Sequence, residues 1–277
     1  MQIRQLLLSQ SSPQVMGILN VTPDSFSDGG RHNALNDAVK QALAMEAAGA
    51  SIIDIGGEST RPGAPEVSVD EELRRVVPVV EAIRRESNVV ISIDTSKPEV
   101  MCAAVDAGAT MINDVFALRR DGALAAAAEL GVPVCLMHMQ GEPVNMQTRP
   151  HYDDLVGDIM CFLYNRAAVC KSAGIDEEKL VIDPGFGFGK NDQHNLRLLA
   201  DLQQFTEMGY PLLVGLSRKR TLGNLTGRKA NQCVAAGVSA AVLAVSNGAN
   251  IVRTHDVEET VDAFRISEAV AAAGNIK

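Results

Sequence analysis

The chain has 277 residues, and its 34 acidic and 25 basic side chains give a formal charge of −9. Hydrophobic residues make up 46% of the sequence, so the chain can bury a full core, which excludes a disordered protein. The acidic excess argues against a general binder of nucleic acid or of membrane surfaces.

The five cysteines carry no disulfide or zinc signature. Their number is odd, and the sequence has neither a CxxC motif nor Cys/His ligand spacing. We therefore expect reduced core cysteines in a cytoplasmic protein. The N-terminal MQIRQLLLSQ contains an apolar run of only three residues, which is too short for a signal-peptide core. The apolar stretch 234–252 is interrupted by glycine, serine and asparagine. That stretch predicts a buried alanine-rich helix and no membrane span.

Eight short apolar runs along the chain are typical of parallel strands that are buried on both faces. We predict strands over residues 15–19, 52–55, 89–93, 111–112, 134–137, 180–182, 212–216 and 251–252. Six times a helix-like segment stops at a glycine and such a run follows. Glycine suits that position because it adopts the left-handed conformation without a Cβ clash.

Amphipathic segments lie between these runs and predict helices. The first apolar face consists of Leu35, Ala38, Val39, Ala42 and Met45, and the second of Leu73, Val76, Val77, Val80 and Ile83. Pro78 should kink or split the second helix. Eight β-then-α units without a linker predict a single-domain α/β protein, a (β/α)8 TIM barrel over about residues 15–275 with a short N-terminal extension. A doubly wound open sheet is the alternative.

Each predicted strand is followed by polar residues that suit binding or catalysis. One such residue alone is more often a helix cap than a ligand, but barrel strands bring all eight ends to one rim, where active sites form. The residues are Asn20, Asp54, Glu58, Arg61, Asp94, Asn113, Asp114, His138, Asp183, Ser217, Arg218, Lys219, Arg253 and His255. Their convergence predicts a polar site at the rim.

The acceptors among them match a flat nitrogen heterocycle. Asp94, Asn113 and Asp183 suit an amino-amidine edge, since a carboxylate accepts two parallel N–H bonds. Lys219 can donate to a ring carbonyl or nitrogen at the opposite edge.

The donors form a second group that suits phosphate or pyrophosphate. Arg61, Arg253, His255 and Asn20 offer guanidinium forks and further polar groups to paired oxygens. Mg²⁺ would fit there, with oxygen ligands from Asn20 and the phosphates.

Three loops are rich in glycine. The segment 183–190, DPGFGFGK, fails the P-loop spacing because the first required glycine falls on Pro184, and it also fails GxGxxG. Its glycines more plausibly let the loop pass close to a flat ligand, with Phe188 available for apolar contact. Segments 20–30 and 56–63 are rich in Gly, Pro and Ser and are predicted to be closing loops.

At these positions the sequence resembles the dihydropteroate synthases, a pterin-binding TIM-barrel family of the folate pathway. The blocks run in barrel order through nearly the whole chain. They are MGILNVTPDSFSDGG (16–30), GGESTRPGA (56–64), ISIDTS (91–96), IND (112–114), LMHMQG (136–141), IDPGFGFGK (182–190), GLSRK (215–219) and RTHDV (253–257).

The resemblance implies a transferase that joins 6-hydroxymethyl-7,8-dihydropterin diphosphate to p-aminobenzoate and releases pyrophosphate. It implies a pterin site of Asp94, Asn113, Asp183, Lys219 and Arg253, and a diphosphate site of Asn20, Arg61, Arg253 and His255 with Mg²⁺ near Asn20. It implies an aminobenzoate site of Thr60, Pro62, Phe26, Phe188 and Ser217. Sulfonamides would bind there, and a homodimer is expected, with the alanine-rich C-terminal helices as candidate surface.

The implied mechanism assigns catalysis to Asp94, Lys219, Arg253 and Asp28. The methylene would leave diphosphate as a cation that is delocalised into the pterin, and Asp28 or Asp24 would stabilise it and exclude water. Neither Cys135 nor Ser217 is expected to act as a nucleophile. Two other interpretations stay open at this point: a pterin-dependent methyltransferase and a non-catalytic pterin-binding barrel.

Overall fold

A computed structural model describes residues 12–22, 31–59, 63–142 and 146–274, except for the side chains of 31–33. The predicted strands are present and most are slightly longer than expected. They are Gln14–Asn20 (β1), Ile52–Gly56 (β2), Val90–Asp94 (β3), Met111–Asp114 (β4), Val134–Met137 (β5), Leu180–Asp183 (β6), Leu213–Val214 (β7) and Ile251–Thr254 (β8). The N-terminal extension predicted from the sequence lies largely outside the described residues.

The strands form one parallel sheet in the order β6-β5-β4-β3-β2-β1-β8-β7. Its two edges meet, because Ile182 and Leu212 form a parallel bridge and the Ile182 N–H donates to the Pro211 carbonyl at 3.0 Å. Sequential order and closure confirm the predicted (β/α)8 barrel. The open doubly wound alternative is wrong.

Helices follow the strands along the chain and cover the barrel. In the described part they are Arg31–Ala47 (α1), Val69–Glu86 (α2), Pro98–Asp106 (α3), Ala123–Leu130 (α4), Leu155–Ser172 (α5), Asp192–Ala200 (α6), Arg220–Thr226 (α7), Val234–Ser246 (α8) and Val257–Gly274 (α9). Short 3-10 turns occupy Glu177–Lys179, Leu202–Met208 and Ala230–Gln232.

Helix α2 continues through Pro78, so the predicted split is wrong. Proline removes only one backbone donor, and Pro78 lies on the exposed side of the helix. The buried face of α2, which packs on the barrel, consists of Val76, Val79, Val80 and Ile83. Val79 therefore takes the buried place that the sequence analysis gave to Val77.

Inside the barrel an apolar layer lies beneath a polar one. The apolar layer consists of Met16, Ile52, Met111, Cys135, Val181, Leu213 and Ile251. Because strand side chains alternate, residues two positions later point inward as well, one layer nearer the rim. Those residues include Asp54, Asn113, Asp183 and Arg253. The fold thus places charged groups directly above the apolar floor.

The cysteines are all free thiols. Cys135, Cys170 and Cys233 are buried as predicted, but Cys161 is exposed on α5 and Cys102 is half-buried, so the core prediction is wrong for Cys161. The alanine-rich helix α8 buries one face and leaves Leu243 exposed. No helix in the described part of the chain has the length and apolar character needed to cross a bilayer.

Candidate active site

Four strand ends meet in one buried cluster of charges. Arg253 at the end of β8 donates from Nε to Asp54 Oδ2 at 2.6 Å and from Nη2 to Asp94 Oδ2 at 2.7 Å. The Asn113 amide donates to the same Asp54 oxygen at 3.1 Å. Asp94 and Asn113 are direct partners in the register of β3 and β4. The structure therefore brings Asp94, Asn113 and Arg253 together, as predicted.

Asp54 is the residue whose importance the sequence did not reveal. It appears there only as one polar strand-end residue, yet it is fully buried and anchors both Arg253 and Asn113. Its other oxygen, Oδ1, has no hydrogen-bond partner among the described residues. A charged residue inside the apolar run IIDIG was the available signal, because buried charges need a partner.

Burial dominates the electrostatics of this cluster. It raises the pKa of Asp94, where Asp54 adds to the effect and Arg253 opposes it. Burial also works against the charged guanidinium, but Asp54 and Asp94 outweigh it and raise the pKa of Arg253. Arg253 is thus held as a cation by two carboxylates.

Asp183 and Lys219 complete the slot. The Gly185 N–H donates to Asp183 Oδ1 at 2.7 Å, and burial raises the pKa of Asp183 to about 6 against the opposing effects of Gly185 and Lys219. Burial and Arg253 lower the pKa of Lys219 to about 8, while Asp183 and Asp94 oppose that shift. Lys219 therefore interacts electrostatically with both Asp94 and Asp183.

Lys219 also contacts the glycine-rich loop. Its Nζ lies 4.2 Å from the centre of the Phe188 ring, a cation–π distance. A Cβ on Gly187 would come within 3.2 Å of the Lys219 stem, so the loop passes directly beside it. The glycines thus approach a lysine side chain, and their predicted approach to a flat ligand stays a prediction.

His255 and Ser217 form a second polar group at the rim. Ser217 Oγ lies 3.0 Å from His255 Nδ1 of the ring, and the backbone N–H of His255 donates to Ser217 Oγ at 3.2 Å. Arg218, which has a positive φ of 56°, donates to Asp256 at 2.5 Å. The predicted diphosphate residue His255 and the predicted aminobenzoate residue Ser217 are therefore in contact.

Asn20 ends β1 beside this slot. It is the register partner of Gly56, and a Cβ on Gly56 would lie 3.9 Å from Asn20 Oδ1 and 3.6 Å from the Asp94 Cβ. The described residues contain no group of three or more His, Cys, Asp or Glu side chains that could hold a metal. A single amide oxygen fits a Mg²⁺ ion that takes its other ligands from water and a substrate phosphate.

Six of the predicted site residues lie outside the described residues. They are Asp24, Phe26, Asp28, Thr60, Arg61 and Pro62. Glu58, a described residue of the segment after β2, makes three polar contacts with its surroundings together with Lys97 and Glu72. Lys97 Nζ donates to Glu58 Oε2 at 2.6 Å and to Glu72 Oε2 at 2.5 Å, and Glu58 Oε1 accepts from the Val67 N–H at 2.8 Å. The sequence analysis did not predict this buried triad.

Comparison with known proteins places the chain among pterin-binding proteins. The profile of the family described as "Pterin binding enzyme" matches residues 16–255, and the chain belongs to this family. It is 56% identical over 266 residues to the dihydropteroate synthase of Escherichia coli strain K12, covering 96% of this chain and 94% of that protein. It is 50% identical to that of Haemophilus influenzae, covering 96% and 97%.

Solved structures agree. A Yersinia pestis dihydropteroate synthase in complex with a sulfonamide drug superposes with a TM-score of 0.91 at 56% identity, covering 95% of each chain. A Xanthomonas albilineans dihydropteroate synthase with 4-aminobenzoic acid gives a TM-score of 0.90 at 54% identity, covering 95% and 94%. The activity expected from the sequence, a transferase of the dihydropteroate synthase type in folate biosynthesis, is confirmed.

Proposed function

We propose that the chain binds the pterin of 6-hydroxymethyl-7,8-dihydropterin diphosphate in the slot of Asp94, Asn113, Asp183 and Lys219. There it joins the pterin methylene to the amino nitrogen of p-aminobenzoate and releases pyrophosphate. The observation that carries this proposal is Arg253 bonded to both Asp54 and Asp94, with Asn113 bonded to the same Asp54 oxygen.

The slot matches the two edges of a pterin. The carboxylates accept from the amino-amidine edge, and each charge-assisted bond contributes roughly 1.5–3 kcal/mol. Lys219 donates to the opposite edge. Arg253, held by Asp54 and Asp94, lies against the ring. We assign catalytic contacts to Asp94, Lys219, Arg253 and Asp28.

The leaving group is assigned to Asn20, Arg61, Arg253 and His255. As the carbon–oxygen bond breaks, charge builds on the diphosphate, and donors that are already oriented stabilise it without rearrangement. Bound with the diphosphate near Asn20, Mg²⁺ would neutralise part of the same charge. Asp28 or Asp24 would stabilise the pterin cation until the amine nitrogen attacks. Burial raises the pKa of the Cys135 thiol well above its usual value, so Cys135 does not serve as a nucleophile.

The aminobenzoate site is assigned to Phe188 and Ser217 together with Thr60, Pro62 and Phe26. Phe188 offers a ring face beside Lys219, and Ser217 lies next to His255. The Yersinia pestis and Xanthomonas albilineans relatives bind a sulfonamide drug and 4-aminobenzoic acid respectively. We propose that both kinds of compound compete for this site in the present chain.

We also propose that the chain is a cytoplasmic homodimer. Free thiols throughout suit a reducing compartment. The apolar residues Leu243 on α8 and Ile266 and Val270 on α9 are more than half exposed, on two helices that pack together. Light scattering of the purified chain measures its mass directly, and a monomer would contradict the dimer.

The activity assay supplies the pterin diphosphate, Mg²⁺ and p-aminobenzoate and measures pyrophosphate and dihydropteroate. A methyltransferase or a non-catalytic binding barrel would release no pyrophosphate. We expect Asp94→Asn to weaken pterin binding by about tenfold or more, because a charge-assisted bond is lost. Unchanged affinity in calorimetry would refute the role of Asp94. Intact turnover of Arg61→Ala at saturating substrate would refute the leaving-group role of Arg61.

A further inference from the structure

Lys190, the last residue of the glycine-rich loop, is a buried amine that makes no hydrogen bond to a carboxylate among the described residues, and burial lowers its pKa to about 7. It is 1% exposed. Its Nζ donates to the Gly185 carbonyl at 2.9 Å and to the Phe188 carbonyl at 3.1 Å, and lies 2.9 Å from His138 Nδ1. The Lys190 nitrogen thus has three hydrogen-bond partners, two of them backbone carbonyls of the loop itself.

These contacts require a neutral imidazole. When Lys190 carries its proton it only donates, so His138 Nδ1 then accepts and the ring proton lies on Nε2. Burial, with Lys190 and Arg119 adding to it, lowers the pKa of His138 to about 2. His138 therefore remains a fixed acceptor at the end of β5.

Glycines press the same loop against the segment after β5. Gly185 has a φ of 73°, and a Cβ there would lie 1.8 Å from the His138 carbonyl oxygen. Gly189 has a φ of 64°, and a Cβ there would lie 2.4 Å from the Gln140 carbonyl oxygen. Only glycine fits so close an approach. Lys190 thus fastens a loop that is already in backbone contact with its neighbour.

The fastened segment carries groups of both proposed substrate sites. Gly185 donates its N–H to Asp183, and the Phe188 ring lies 4.2 Å from Lys219 Nζ. Lys190 bonds to the carbonyls of these same two residues, Gly185 and Phe188. It is therefore placed to set the position of the Phe188 ring.

We infer that Lys190 is a positioning residue for the p-aminobenzoate site, acting through the backbone of residues 185–188 to hold Phe188 beside Lys219. It touches neither substrate itself. The inference rests on the proposed function, since it takes Phe188 to be a contact of p-aminobenzoate. The sequence motif does not reveal this role, because the lysine ends a glycine-rich segment that resembles a P-loop but lacks its spacing.

A double-mutant cycle tests the inference. Lys190→Met keeps the stem and removes the amine, and Phe188→Ala removes the ring. We expect Lys190→Met to raise KM for p-aminobenzoate by about tenfold and KM for the pterin diphosphate by less than about threefold. In the Lys190→Met background, the effect of Phe188→Ala on KM for p-aminobenzoate should be at least about threefold smaller than in the unchanged chain. Lys179→Met is the matched control. It also removes a lysine bond to a backbone carbonyl, that of Gly131 at 2.5 Å, but lies before β6 at the other end of the barrel, and it should leave both KM values unchanged.

The outcomes separate the inference from the proposed function. If Phe188→Ala raises KM for p-aminobenzoate but the two effects multiply independently, the positioning role of Lys190 is overturned and the proposed function stands. If Phe188→Ala leaves that KM unchanged, the assigned aminobenzoate site is wrong and the inference falls with it. If Lys190→Met does not fold, Lys190→Gln, which retains an amide donor, replaces it in the cycle. The same changes in KM are then expected, but smaller.

Discussion

Asp54→Asn tests the charge cluster at the base of the slot. The asparagine has nearly the same shape and can still accept from Arg253, so the change removes a charge without opening a cavity. Arg253 keeps its bond to Asp94. We therefore expect the loss of the attraction between one pair of charges, about 1.5–3 kcal/mol of unfolding free energy, and not the larger cost of a stranded buried charge. At about 2 °C per kcal/mol for a chain of this size, Tm should fall by about 3–6 °C.

Thermal unfolding measures this shift, and Asp262→Asn is the matched control. Asp262 also pairs with an arginine, Arg265 at 3.1 Å, but both side chains are about two-thirds exposed. Exposed pairs contribute little, so the control should shift Tm by less than about 2 °C. Since a neutral asparagine holds Arg253 less firmly than a carboxylate does, KM for the pterin diphosphate should also rise in Asp54→Asn alone. Equal Tm values for the two variants would refute the ion-pair reasoning.

Two further predictions concern other buried charges. Lys97→Met should lower the unfolding free energy by about 3–5 kcal/mol because it strands the fully buried Glu72. Adding Glu72→Gln should recover more than half of that loss in thermal unfolding. A double variant as unstable as Lys97→Met alone would contradict this prediction. Asp183, with a pKa raised to about 6, must be ionised to accept pterin N–H donors. Asp94, with a pKa raised to about 7, must be ionised as well, so pterin affinity should fall as pH drops below about 7, with protons released on binding. Calorimetry in buffers of different ionisation enthalpy measures this, and Asp183→Asn should reduce the proton release; an unreduced release would contradict the role of Asp183.

The strand pattern was readable from the sequence because each strand is a short apolar run with polar residues at its end. The ends themselves were placed one or two residues early at Asp94, Asn113, Asp183 and Arg253. Those residues were interpreted as leaving the sheet, but they continue its ladder. A polar residue remains in a buried strand when a charge from another strand neutralises it, and the local sequence carries no sign of that partner.

The unpredicted residues share this cause. Asp54 bonds to Arg253, 199 positions away, and Lys190 bonds to His138, 52 positions away. Glu72 lies four residues before Val76 on the buried face of its helix, but the sequence does not show that Lys97 neutralises it there. Sequence patterns predicted which elements form and which rim they share, whereas the pairing of individual charges follows only from the closed barrel.

The slot is built to favour a cation. Three carboxylates, Asp54, Asp94 and Asp183, lie near two cations, Arg253 and Lys219, so the slot formally carries one negative charge when all five groups are ionised. That excess is unfavourable, and it contributes to the raised pKa of Asp94, where Asp54 adds to the effect of burial. A positive charge on the pterin methylene would relieve the repulsion at the moment when the leaving group departs. Interactions that strengthen only in the transition state accelerate the chemical step. The same repulsion that destabilises the free slot therefore supplies part of the catalysis, and neutralising Asp94 or Asp183 should slow turnover as well as weaken binding.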